Sequence, residues 1–75
     1  MLQLYFWVEV APQLSGYRAS IQAATVTEMV KKIQSLQDTG YDGYAIDPFS
    51  YELKKDGIII CEGTYKNIIE KMNSM

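Results

Sequence analysis

The stretch Leu2-Gln3-Leu4-Tyr5-Phe6-Trp7-Val8-Glu9-Val10 decides the fold, because the character of its residues alternates along its whole length. Its even-numbered positions are all aliphatic or Phe, whereas its odd-numbered positions are Gln, Tyr, Trp and Glu. Successive side chains of a β-strand point to opposite faces of a sheet, so the pattern predicts a strand with one wholly apolar face. Tyr5 and Trp7 then point to the opposite face.

A second strand is predicted directly after a turn. Pro12 and Gly16 mark the turn, and residues 17–24 alternate again. Two such runs separated by a short turn predict an antiparallel hairpin. Arg18 is the basic residue that we expect on the same sheet face as Tyr5 and Trp7.

Two helices are predicted from capping residues and from apolar spacings of three and four. The first helix is predicted at 26–38, with Thr25 and Glu28 as a reciprocal capping box and Gly40 closing its end. The second is predicted at 64–73. The apolar residues with this helical spacing are Val26, Met29, Val30, Ile33 and Leu36 in the first helix, and Tyr65, Ile68, Ile69 and Met72 in the second.

The region between the helices predicts a second hairpin. Strands at 50–54 and 58–62 flank Asp56-Gly57, a strong signal for a tight hairpin turn, and a short strand is expected at 44–46. The predicted order is ββα-(β)ββα. We therefore expect a single small α+β domain over 1–75, with an antiparallel sheet of three to five strands and two helices packed on one face.

The register of the second hairpin has two alternatives. A two-residue turn pairs Glu52 with Cys61, whereas a turn one residue longer, with a bulge, pairs Glu52 with Ile60. In both registers, half of the run Ile58–Cys61 faces away from the helices. We assign Ile59 and Cys61 to that second face, although a cysteine in an apolar run is also typical of structural filler.

The composition excludes several functional classes. The chain has 75 residues, 48% of them hydrophobic, and a net charge of −2, which argues against disorder and against a basic surface for nucleic acid. It has no histidine, the commonest general base and metal ligand, and its single cysteine can form neither an intrachain disulfide nor a zinc site. We therefore expect a non-enzymatic protein with no cofactor.

The N-terminal sequence predicts neither a secretory signal nor a membrane segment. The apolar run from Leu4 to Val8 is shorter than the roughly 7–15 residues of a signal peptide and the roughly 20 residues of a membrane helix. Together with the single unpaired thiol, this favours a cytoplasmic protein that does not enter a membrane.

The second sheet face is the predicted interaction site. An exposed patch with aromatic residues is typical of a protein interface, so we expect a partner protein or a second copy to bind there. The alternative is that residues 40–50 fold back and cover this face. The predicted partner-binding residues are Tyr5, Trp7, Arg18, Ile59 and Cys61.

Two further hypotheses concern the type of function. Small acidic chains without catalytic residues also fit inhibitors of larger complexes, such as those carried by phages and mobile elements, by analogy of size and composition. The alternative is an accessory domain that binds a small ligand or a metal ion through the loop Asp38–Asp47, where three carboxylates lie close in sequence. Turn formation is the more ordinary role of such aspartates.

Overall fold

A computed structural model describes residues 1–10 and 15–75, and this part of the chain forms one β-sheet with two helices on one of its faces. Pro12, which marks the first predicted turn, lies outside the described residues. The elements are β1 (Leu2–Val10), β2 (Ser15–Ala23), α1 (Val26–Thr39), β3 (Ala45–Ile46), β4 (Tyr51–Lys55), β5 (Ile58–Gly63) and α2 (Tyr65–Asn73).

The sheet is antiparallel, and its strand order is β2-β1-β4-β5. β1 lies at its centre, because β2 pairs along one side of it while β4 and the short β3 pair along the other. Among the described residues the sheet has five strands. The predicted α+β class and the order ββα-(β)ββα are both confirmed.

The hydrophobic core lies between one face of the sheet and the two helices. The even-numbered residues of β1 from Leu2 to Val8 are all buried there, as their alternation predicts. Burial of this apolar surface is the main force that holds the helices on the sheet. The helices contribute Met29, Ile33 and Leu36 from α1 and Ile68 and Met72 from α2.

The first helix begins at Val26 as the sequence predicts, ends at Thr39, one residue later than predicted, and differs in one partner of its cap. The Thr25 hydroxyl accepts a hydrogen bond from the backbone N–H of Glu28 at 3.2 Å. The Glu28 carboxylate accepts from the N–H of Ala24 at 2.9 Å, one residue earlier than the expected partner. Gly40 ends α1 with a positive φ of 76°, and its N–H donates to the Leu36 carbonyl at 2.8 Å.

The second hairpin has neither of the two predicted registers, so both alternatives are wrong. Its turn has two residues, Asp56 and Gly57, with φ angles of 52° and 84°. A two-residue turn with both residues at positive φ matches the twist of the flanking strands. A bulge then shifts the ladder, so that Leu53 pairs with Cys61 and Glu52 pairs with Glu62. One extra residue in a strand reverses the face of every side chain beyond it.

Neither helix in residues 1–10 and 15–75 has the length and apolar character needed to cross a membrane.

Candidate functional site

The outer face of the sheet, the face turned away from α1 and α2, is the candidate site. Both helices bury their apolar residues against the opposite face. Trp7 remains 39% exposed and Ile59 46% exposed, so the outer face carries two large apolar side chains in contact with solvent. From the strand pairing, the outer face is formed by Gln3, Tyr5, Trp7, Glu9, Arg18, Ser20, Gln22, Glu52, Lys54, Ile59 and Glu62.

Tyr5 lies at the centre of the outer face between two cations. The Arg18 guanidinium carbon is 5.3 Å from the centroid of the Tyr5 ring, and the Lys54 Nζ is 4.6 Å from it. Both distances are within the range of a cation–π interaction. Arg18 also forms an ion pair with Glu52, so β2, β1 and β4 are linked across this face. The centre of the face is therefore charged as well as aromatic, with Lys54 and Glu52 beside the predicted Tyr5 and Arg18.

The indole of Trp7, a residue of β1, lies over Gly16 of β2, where the glycine leaves room for it. A Cβ at Gly16 would be 2.5 Å from Trp7 Nε1 and 2.4 Å from the Val8 carbonyl oxygen. Both distances are far below van der Waals contact, so only glycine fits this position without a shift. The absence of a side chain at Gly16 therefore sets where the indole rests.

Phe49 extends the site at its rim. The Asp47 side chain accepts hydrogen bonds from the Phe49 N–H at 2.9 Å and from the Ser50 hydroxyl at 2.7 Å, which closes a tight turn. This turn leaves Phe49 71% exposed. Phe49 borders a shallow cleft of about 310 Å³, together with Arg18 and Glu52 of the outer face. Phe49 is not among the residues predicted for the site, although the sequence does favour turn formation by the loop aspartates.

The structure brings together four of the five predicted site residues. Tyr5, Trp7, Arg18 and Ile59 share the outer face, as predicted. Cys61 does not, because the bulge places it opposite Leu53 on the helix side. There its thiol donates to the Asn67 carbonyl of α2 at 3.6 Å, and the side chain packs against the core.

Residues 40–50 do not cover the outer face, although Ala45 lies opposite Glu9 and Phe49 lies at the rim. The Tyr41 ring packs edge-on against Phe6 at a centroid distance of 5.2 Å, which is on the helix side of β1. Ala45 and Ile46 extend the sheet beside β1. The alternative in which this segment covers the outer face is therefore wrong.

Two of the three loop carboxylates, Asp42 and Asp47, are engaged separately. Asp47 uses both oxygens within its own turn, and Asp42 accepts from the Tyr17 hydroxyl at 3.5 Å. Partial desolvation, followed by the Asp42 charge, raises the pKa of Tyr17 above its ordinary value. Among residues 1–10 and 15–75, no three Cys, Asp or Glu side chains are grouped as metal ligands.

Comparison with protein families, with curated proteins and with solved structures found no match to this chain.

Proposed function

We propose that the protein is a binding module rather than an enzyme, and that a partner protein docks on the outer face of its sheet. The observation that carries the proposal is the exposure of Trp7 and Ile59 on the sheet face that the helices leave uncovered. Trp is among the residues that most often dominate the energy of a protein interface. The pairing of apolar anchors with a polar surround is also typical of such interfaces.

The anchors are held in place before any partner binds. Trp7 rests on Gly16, and Tyr5 is held between Arg18 and Lys54. Side chains that are already ordered lose little conformational entropy on association, which favours affinity. The outer face is therefore suited to a partner that presents an apolar side chain beside Trp7.

The size of the outer face is compatible with a standard interface. Four strands of nine, nine, five and six residues, spaced about 4.8 Å apart and rising about 3.3 Å per residue, give a flat area of roughly 460 Å². Projecting side chains increase this area towards the roughly 800 Å² that each partner buries in a stable complex. Phe49 adds contact area at the rim.

The charges of the outer face favour a partner with a basic side chain near β5. Glu62 lies directly opposite Glu52, and like charges in this arrangement repel. Arg18 pairs with Glu52, whereas neither of the two ion pairs in the described part of the chain includes Glu62. A lysine or arginine of the partner would relieve the repulsion and add specificity.

Occupying the surface of a subunit would make the protein an inhibitor of the assembly to which that subunit belongs. The free thiol of Cys61 favours action in a reducing compartment such as the cytoplasm.

A pair of isoleucine variants tests the proposed face. Ile59 and Ile58 are neighbours on β5 and are 46% and 68% exposed, but Ile59 pairs with Lys54 on the outer face while Ile58 pairs with Lys55. Chain carrying a C-terminal affinity tag would be used to capture proteins from an extract of the source cells. We expect a protein that is retained by the unaltered chain and by Ile58→Ser, and is lost with Ile59→Ser.

Fluorescence of the single tryptophan provides the second measurement. Burial of Trp7 by the captured protein should shift its emission to shorter wavelength, and Ile59→Ser should abolish that shift at the same concentrations. Far-UV circular dichroism of both variants controls for folding. Equal capture by Ile58→Ser and Ile59→Ser, or binding without any change at Trp7, would contradict the proposal.

A further inference from the structure

The outer edge of β2 carries backbone groups that point away from the sheet. β2 is nine residues long and pairs only with β1 in the described part of the chain. The Trp7 carbonyl accepts a hydrogen bond from the N–H of Asp47, at 3.0 Å, on the side of β1 opposite to β2. In an antiparallel pair, two residues that face each other either bond to each other or both point away. Because Arg18 faces Trp7, its N–H and C=O point off the free edge.

A second hydrogen bond supports the same alternation. Lys32 of α1 donates to the backbone carbonyl of Gln22 at 2.7 Å, so that carbonyl also points away from β1. Gln22 and Arg18 have the same parity, and Ser20 lies between them with that parity too. Arg18 and Ser20 therefore present a row of backbone donors and acceptors, which is a template for another extended strand. Lys32 covers one end of the row.

We propose that β2 pairs antiparallel with β2 of a second copy of this chain, with Ser20 opposite Ser20 at a two-fold axis. The strand is self-complementary in this register. Arg18 of one copy faces Gln22 of the other, whereas an axis at Arg18 would oppose two guanidinium groups, which is destabilising. The half-buried Ala19 and Ile21 meet across the axis on the helix side. The Gln22 carbonyl has a second lone pair, so it can accept from the new strand and from Lys32 together.

The pairing has a consequence for the outer face. The two-fold axis is perpendicular to the sheet, so both copies present their outer faces on the same side of one continuous sheet. Two copies of Trp7 then lie on one surface, and a dimeric or extended partner could contact both. The pairing does not depend on what binds the outer face.

Amide hydrogen exchange of the unaltered chain tests the inference without any substitution. In dilute solution we expect the amides of Arg18 and Ser20 to exchange rapidly, while those of Tyr17 and Ala19, which bond to β1, are protected. On concentration, the mass measured by sedimentation should double, and Arg18 and Ser20 should become protected. Rapid exchange of these two amides in a dimer, or a chain that stays monomeric at millimolar concentration, would overturn the pairing.

Two substitutions at one position supply a matched test. Ser20→Pro removes the backbone donor at the axis, and an edge strand tolerates proline where the N–H faces outward. We expect Ser20→Pro to weaken dimerisation by at least about tenfold, because two central hydrogen bonds are lost. Ser20→Ala removes only the hydroxyl, so its dimer should resemble that of the unaltered chain. If Ser20→Pro folds and dimerises as strongly as Ser20→Ala, the proposed register is contradicted. If Ser20→Pro does not fold, the amide exchange of the unaltered chain tests the pairing alone.

Failure of this pairing can be distinguished from failure of the proposed docking face. Ile59 lies on β5, at the opposite edge of the sheet from β2. The Ile59→Ser chain should therefore dimerise normally but no longer bind the partner. Because Ser20 itself lies on the outer face, the converse is measured on the unaltered chain. Diluted until it is monomeric, that chain should still shift its tryptophan emission with the partner.

Discussion

Gly16→Ala tests how the outer face is built. The added Cβ would be 2.5 Å from Trp7 Nε1 and 2.4 Å from the Val8 carbonyl oxygen, so the indole must move by about 1 Å to restore normal contact. Overpacking of this kind costs about 1–3 kcal/mol, of which a lower chain entropy in the unfolded state offsets up to about 1 kcal/mol. A domain of this size has a total stability of about 4–11 kcal/mol, so the loss is measurable.

A double-mutant cycle with Trp7→Ala separates the two clashes. Removing the indole abolishes its conflict with the new Cβ but leaves the conflict with the Val8 carbonyl. We therefore expect Gly16→Ala to cost about 1 kcal/mol less in the Trp7→Ala background than in the unaltered chain. Urea unfolding followed by far-UV circular dichroism measures all four proteins. The same cost in both backgrounds would show that the indole does not rest on Gly16.

The remaining predictions concern a buried hydroxyl and a helix cap. Burial raises the pKa of Tyr51 above its ordinary value of 10.0, and the hydrogen bond from Gln37 opposes this only in part. The folded state thus holds this proton more tightly, so the stabilisation is full below pH 10 and is lost as pH rises through the folded pKa. In Tyr51→Phe, the free energy of unfolding should fall less steeply as the pH rises and should be about 1 kcal/mol lower at pH 7, measured by urea unfolding between pH 7 and 11. An equally steep fall in the Tyr51→Phe chain would contradict the assignment. Thr25→Ala removes the acceptor for the Glu28 N–H and should lower the unfolding free energy by about 1 kcal/mol, measured by thermal unfolding; no loss would mean that the cap is not formed in solution.

Local patterns predict most of the fold, because apolar residues recur at every second position in the strands and at every third or fourth position in the helices. The alternation in β1 assigns Phe6 to the core and Trp7 to the outer face, and the strand pairing agrees with both. The cap at Thr25 can also be predicted, because Thr25 and Glu28 are only three positions apart. Such signals depend on neighbours in sequence.

The parts that sequence does not predict depend on contacts between distant residues. The bulge beyond Ile59 moves Cys61 to the helix side, and no local residue type marks its position. The place of Phe49 at the rim depends on the hydrogen bond of Asp47 to β1, forty residues away in sequence. The contact between the Trp7 indole and Gly16 is likewise not predicted by local sequence, because it depends on the register of the first hairpin.

The most direct test of the docking face is a map of the backbone amides by NMR when the captured partner is added to isotopically labelled chain. We predict that the largest changes in chemical shift lie on the outer-face residues of β1 and β5, including Trp7 and Ile59, with smaller changes along the helices. Changes concentrated on α1 and α2, with the amides of Trp7 and Ile59 unaffected, would contradict the account.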